Sequence, residues 1–146
     1  MAKKPKKPKV PKLKRKAFKL WSLKVRMAYG NKCAICGSEN NLNAHHIESR
    51  KSASMRFLVE NGAALCPLHH KFDSRNSAHN GPVWFHQWLL QNRPKTIDFI
   101  LLHRDDPVEE TVEYMLAVLT KLEQPLSSDE LDTMGIKTGS DEQKLL

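Results

Sequence analysis

The chain has 146 residues, three cysteines, seven histidines and a formal charge of +8. That length argues for one domain, and an apolar share of 40% suffices for one modest core. No run approaches the ~20 consecutive apolar residues of a membrane span, no apolar h-region of ~7–15 residues follows the basic start as a secretory signal requires, and an odd cysteine count argues against a complete disulfide framework.

Charge divides the chain into three parts. Residues 1–26 carry 12 of the 24 Lys and Arg residues and no acid, whereas residues 104–146 carry 4 basic and 11 acidic residues. The first 16 residues are lysine-rich, and Pro5, Pro8 and Pro11 interrupt them. Prolines oppose helix and like charges repel, so residues 1–16 are expected to be a disordered basic arm. Such an arm suits a polyanion, with nucleic acid the leading partner, because each lysine that neutralises a phosphate releases a counterion. A solubilising tail or a nuclear-localisation signal has the same composition.

Phe18, Leu20, Trp21, Leu23, Val25 and Met27 then lie in a helix-compatible segment that Gly30 is suited to stop. Residues 33–70 are rich in turn formers, and short strands are expected there. A helix should begin near Pro67 and run past Phe72. Pro82 should start another, with Trp84, Phe85 and Trp88 more useful in a core than as a stacking platform for unpaired bases. Asp106, Pro107 and Glu109 carry the marks of a helix start. Val108, Val112, Met115, Leu119 and Leu122 continue it as an amphipathic helix to about Gln124, with a face that another protein can dock on. Residues 126–146 read as a weakly ordered acidic tail. The organisation expected is therefore arm (1–16), domain (17–125) and tail (126–146).

The chemistry is concentrated in residues 33–70. Cys33-Ala-Ile-Cys36 and Cys66-Pro-Leu-His69 are two ligand pairs with two residues between partners, the reach of a tight turn that aims both side chains at one ion. Together they make a closed Cys3His set suited to structural Zn²⁺, and they use every cysteine in the chain. Three buried thiols acting as small apolar groups is the plainer alternative. A core of this size gains from a metal, because binding energy becomes folding energy. His45, His46 and His70 remain over. Adjacent histidines project in different directions, so one of each pair can meet a second metal while its neighbour stays free. His79, His86 and His103 receive no assignment.

Cys33-x-x-Cys36, then Leu42-Asn-Ala-His45-His46-Ile47, then Asn61-x-x-x-Leu65-Cys66-x-x-His69-His70, resembles the HNH endonuclease family, the ββα-metal nucleases. Arg50, Arg56, Asn61-Gly62 and Pro82-x-x-Phe85-x-x-Trp88 are similar to small phage-encoded members with a zinc knuckle. The likeness covers about Val25 to Trp88. It implies an α+β fold, a ββα-metal core stapled by the Cys3His zinc and flanked by N- and C-terminal helices. It also implies a metal-dependent DNA endonuclease that nicks or cuts both strands, in the cytoplasm of a bacterial or phage-infected cell. By the resemblance, His46 is the general base, Asn61 orients His46 or its loop, and His45 and His70 hold one catalytic divalent metal.

His69 stands where many relatives have cysteine, and His45 where many have aspartate. Two neutral imidazoles suit Mn²⁺ or Ni²⁺ better than hard Mg²⁺, and Asp73 is positioned in the sequence to supply an anionic ligand after all. Arg50, Lys51 and Arg56, between His46 and Asn61, are candidate clamps on the DNA backbone, with Lys71 and Arg75 as weaker ones. A non-catalytic zinc module that only binds nucleic acid, or an adaptor, is the competing expectation.

Overall fold

The computed structural model describes residues 2–137. Helix α1 (Val10–Ala28) is followed by strand β1 (Asn43–His46), a 3-10 turn (Val59–Asn61), strand β2 (Gly62–Leu65) and a π-helical turn (Leu68–Phe72). Four helices follow: α2 (Pro82–Asn92), α3 (Pro94–His103), α4 (Val112–Glu123) and α5 (Ser128–Thr133). The fold is thus α+β, with an antiparallel two-stranded sheet that pairs His45 with Ala63 and His46 with Gly62. Among the described residues no helix is long and apolar enough to cross a membrane.

Two apolar clusters flank the sheet. In one, Leu13, Ala17, Trp21 and Val25 of α1 meet Phe57, Val59, and Met115, Leu119 and Leu122 of α4. In the other, Ala63 and Leu65 of β2 pack with Cys33, Cys66, Phe85 and Leu89. A two-stranded hairpin is marginal alone, so these layers are what stabilise it. Trp84 and Trp88 pack against the second cluster, as expected of core residues.

Several elements depart from expectation. The arm does not extend to residue 16: α1 begins at Val10, with Pro11 in its first turn, where a missing N–H is harmless. Val10, Leu13 and Ala17 follow helical spacing, and burial against α4 together with a Lys14–Glu110 ion pair at 3.0 Å offsets the lysine repulsion. Helix α4 starts at Val112, not at Pro107. Asp106 cannot cap it, because its carboxylate accepts from His103 Nδ1 at 2.8 Å; Thr111 caps instead. The apolar stripe of α4 is covered by α1, so the face that read as a docking surface is an internal contact.

Helix α3 was not anticipated at all, although Pro94 marks its start. The tail is structured through residue 137: Ser127 and Glu130 form a capping box at α5, and Met134 is buried. Residues 138–146 of the expected tail lie outside the described residues.

Gly62 has a particular task. A Cβ built there would overlap the Val25 side chain and crowd Trp21, so only glycine lets α1 lie this close to β2. Gly62→Ala should therefore cost about 1–3 kcal/mol through overpacking. A thermal melt checks this, and an unchanged Tm would mean that α1 does not press on the strand.

Candidate metal centres

The π-helical turn at Leu68–Phe72 sets the geometry. Its wide winding, with the Asp73 amide donating to the Leu68 carbonyl at 2.9 Å, separates the rings of His69 and His70. His69 Nδ1 lies 3.8 Å from Cys33 Sγ and 3.4 Å from Cys66 Sγ, and Cys36 Sγ lies 3.8 Å from Cys66 Sγ. Ligand atoms around a tetrahedral zinc are roughly 3.4–3.8 Å apart when Zn–S is about 2.3 Å and Zn–N about 2.0–2.1 Å. The four side chains therefore fit one ion and can hold it, a set compatible with structural zinc. Burial raises the Cys66 thiol. At Cys33 burial acts the same way, but backbone N–H groups of Cys66, Cys36 and Ile35 outweigh it and bring the thiol below its usual range. The His69 ring lies nearly parallel to that of Trp84, 6.2 Å away.

His70 turns the other way, toward His45 and His79. Nitrogens of these three rings lie within 4.8 Å of one another, with His70 Nε2 and His79 Nε2 3.1 Å apart. Two imidazole nitrogens sharing one ion at about 2.1 Å are roughly 3.0–3.4 Å apart, so the donor set suits a borderline divalent metal. Burial pushes His45 down to about 3, and repulsion from His70, His79 and His46 adds to it. Burial, then His79 and Lys71, lower His70 to about 4. Both rings are neutral near pH 7, the form that offers a lone pair.

His79 was missed in the sequence because nothing near it has ligand spacing. The chain after the π-turn folds back, and the amides of Ala78 and His79 donate to the carbonyls of His69 and His70 at 2.8 and 3.1 Å. Asp73 builds this return: its carboxylate accepts the amides of Arg75 and Asn76 at 2.9 and 2.7 Å, while its carbonyl accepts from Ser77 Oγ at 2.7 Å. Asp73 is therefore a turn former and does not join the three histidines.

On β1, His46 faces away from its neighbour. Its ring stacks on Trp21 with centroids 3.8 Å apart and meets Phe18 edge-on at 5.9 Å. Its Nε2–H donates to the Arg56 carbonyl at 2.9 Å, which leaves Nδ1 as the nitrogen with a free lone pair. Burial lowers the His46 pKa, Arg50 adds to this, and the bond to the Arg56 carbonyl acts against it. Asn61 is fully buried. Its Oδ1 accepts the Glu48 amide at 2.7 Å, and its Nδ2 donates to the carbonyls of Glu48 and Met55 at 3.0 and 3.3 Å. Asn61 thus ties together both ends of the segment whose Arg56 carbonyl orients His46.

The candidate clamps separate. Arg50 is exposed, lies over Phe18 at 5.1 Å and lines a cleft of about 730 Å³ together with His45, His46, His70 and His79. Lys51 is exposed on the same segment. Arg56 does not fit the role: its guanidinium pairs with Glu110, which also holds Lys14, and only 15% of its side chain is exposed. A paired, largely covered guanidinium has no free edge for phosphate.

In comparisons with family models, with curated proteins and with solved structures, nothing matches the chain.

Metal analysis of the purified protein should find one tightly held zinc per chain. Cys33→Ser should lose it and unfold, or lower Tm by more than about 10 °C, because the metal's binding energy is folding energy. A normal melt with zinc absent would remove the structural role.

Proposed function

We propose that this protein is a metal-dependent endonuclease of the HNH type that hydrolyses phosphodiester bonds in DNA. The observation that carries the reading is the three-histidine group of His45, His70 and His79 in one cleft that is also lined by His46, whose ring is oriented by the Arg56 carbonyl. Polar surface histidines have no reason to converge in this way.

His46 Nδ1 takes the proton from the attacking water. The Arg56 carbonyl holds the tautomer that leaves this nitrogen free, and Trp21 and Phe18 hold the ring plane. Asn61 keeps that carbonyl in place through the segment it ties together. His45, His70 and His79 would hold a divalent ion, and the chemistry it would supply there is Lewis-acid stabilisation of developing negative charge. Arg50 and Lys71, exposed at the cleft, attract the DNA backbone. The lysines before α1 add affinity that is independent of sequence and sensitive to salt.

A supercoiled-plasmid assay tests the reading. Cleavage should be faster with Mn²⁺ or Ni²⁺ than with Mg²⁺, since imidazole nitrogens are poor partners for a hard cation. His46→Ala should slow it by about 100-fold or more while zinc content and DNA binding stay near those of the parent. His79→Ala should raise the metal concentration needed for half-maximal rate. Cleavage by His46→Ala at the parent rate would overturn the base assignment. DNA binding without cleavage in any metal would leave a non-catalytic zinc module.

Removing residues 2–9, which precede α1 and leave its buried face intact, should weaken DNA binding and flatten its dependence on salt. An unchanged salt slope would make these residues a solubility or localisation device.

A further inference from the structure

Two chemically different sets of residues stand out in the lining of the cleft. One comprises the histidines with Arg50 and Lys71. The other is an aliphatic wall on α3, half-buried Ile97 and exposed Leu101; Leu89 of α2 and Ile100 also border the cleft but are only 3% and 6% exposed and belong to the core. Leu101 is 61% exposed, an unusual position for leucine beside a polar site. Arg104 also borders this wall, but it faces Glu48 at 3.6 Å and contributes little net charge.

An intact duplex offers this wall nothing. Its bases are stacked and paired, so a protein meets only phosphates and the polar edges in the grooves. An unpaired nucleotide is different, because its base has two free apolar faces. About 730 Å³ lies within the range of roughly 300–1,000 Å³ in which clefts enclose a small-molecule-sized group. The charge pattern agrees: phosphate to the histidine and lysine side, base to the leucine and isoleucine side.

We infer that the cleft takes an unpaired nucleotide, its base against Ile97 and Leu101 and its phosphate at the histidines, so that the substrate is single-stranded, flapped or bulged DNA and not continuous duplex. This rests on the nuclease reading above and goes beyond it by naming the substrate class.

The test uses the full chain with Mn²⁺ and end-labelled oligonucleotides of one sequence, as single strand, as perfect duplex and as duplex with a short flap. Single strand and flap should be cut at least about tenfold faster than duplex, the scale of contacts to one base face. A single strand carrying an abasic residue at the cleavage position should be cut more slowly. Leu101→Asn, a neutral change at an exposed position, should slow cleavage of the normal single strand by about tenfold and that of the abasic strand by much less. Hydrolysis of bis(p-nitrophenyl) phosphate separates the two claims. Turnover of that diester with duplex cut as fast as single strand would overturn the inference and leave the nuclease standing. Failure to hydrolyse the diester or any DNA would overturn both. A parent dimer that Leu101→Asn converts to monomer would make the aliphatic wall an interface between copies, and would overturn the inference too.

Discussion

One widened helical turn governs the site. Between Leu68 and Phe72 the backbone winds loosely enough that adjacent histidines serve different groups: His69 turns to the sulfurs, His70 to His45 and His79. A tight α-helical turn would keep neighbouring rings about 100° apart on one cylinder, but it would not fix which carbonyls remain free. Here the carbonyls of His69 and His70 accept the amides of Ala78 and His79, so the same turn that orients two histidines also recruits the third. The ion that the Cys3His set can hold would lock this turn, and the stability of the fold and the geometry of the cleft would then share one cause.

Helix α1 has two unrelated duties. Its buried face, Leu13 to Val25, builds the larger apolar cluster against α4, while Phe18 and Trp21 clamp the ring of His46. Trp21 is itself held by donating Nε1–H to the Leu58 carbonyl at 2.8 Å. The absence of a side chain at Gly62 is what permits both duties, because it brings the helix against the strand opposite His46. The buried guanidinium of Arg93 completes the arrangement, donating to the carbonyls of Glu60 and Gly62 at 3.1 and 2.8 Å on either side of Asn61. A buried charge persists because it satisfies carbonyls that would otherwise be orphaned.

Charged residues show how far neighbours redirect a side chain. Arg50 and Arg56 look equivalent in the chain, yet Arg50 lies over Phe18 at the edge of the cleft and Arg56 is claimed by Glu110. Asp73 looks like a ligand one turn past His70, yet its Oδ1 accepts two backbone amides of the loop it starts and it stands outside the three-histidine group. In each case the closer partner wins, and only the folded chain says which partner is closer.

The amino-acid sequence by itself determined the ligand chemistry: the Cys33–Cys36 and Cys66–His69 pairs and the strand that alternates His45 and His46. These depend on spacings of a few residues, which local backbone geometry fixes. Tertiary structure alone decided that His79 joins His45 and His70, that residues 10–16 fold onto α4, that the stripe of α4 is covered, and that α3 lines the same cleft as the histidines. Each depends on burial against a segment distant in the chain. The free energy of that contact outweighs local propensity and charge repulsion, and no local pattern records it.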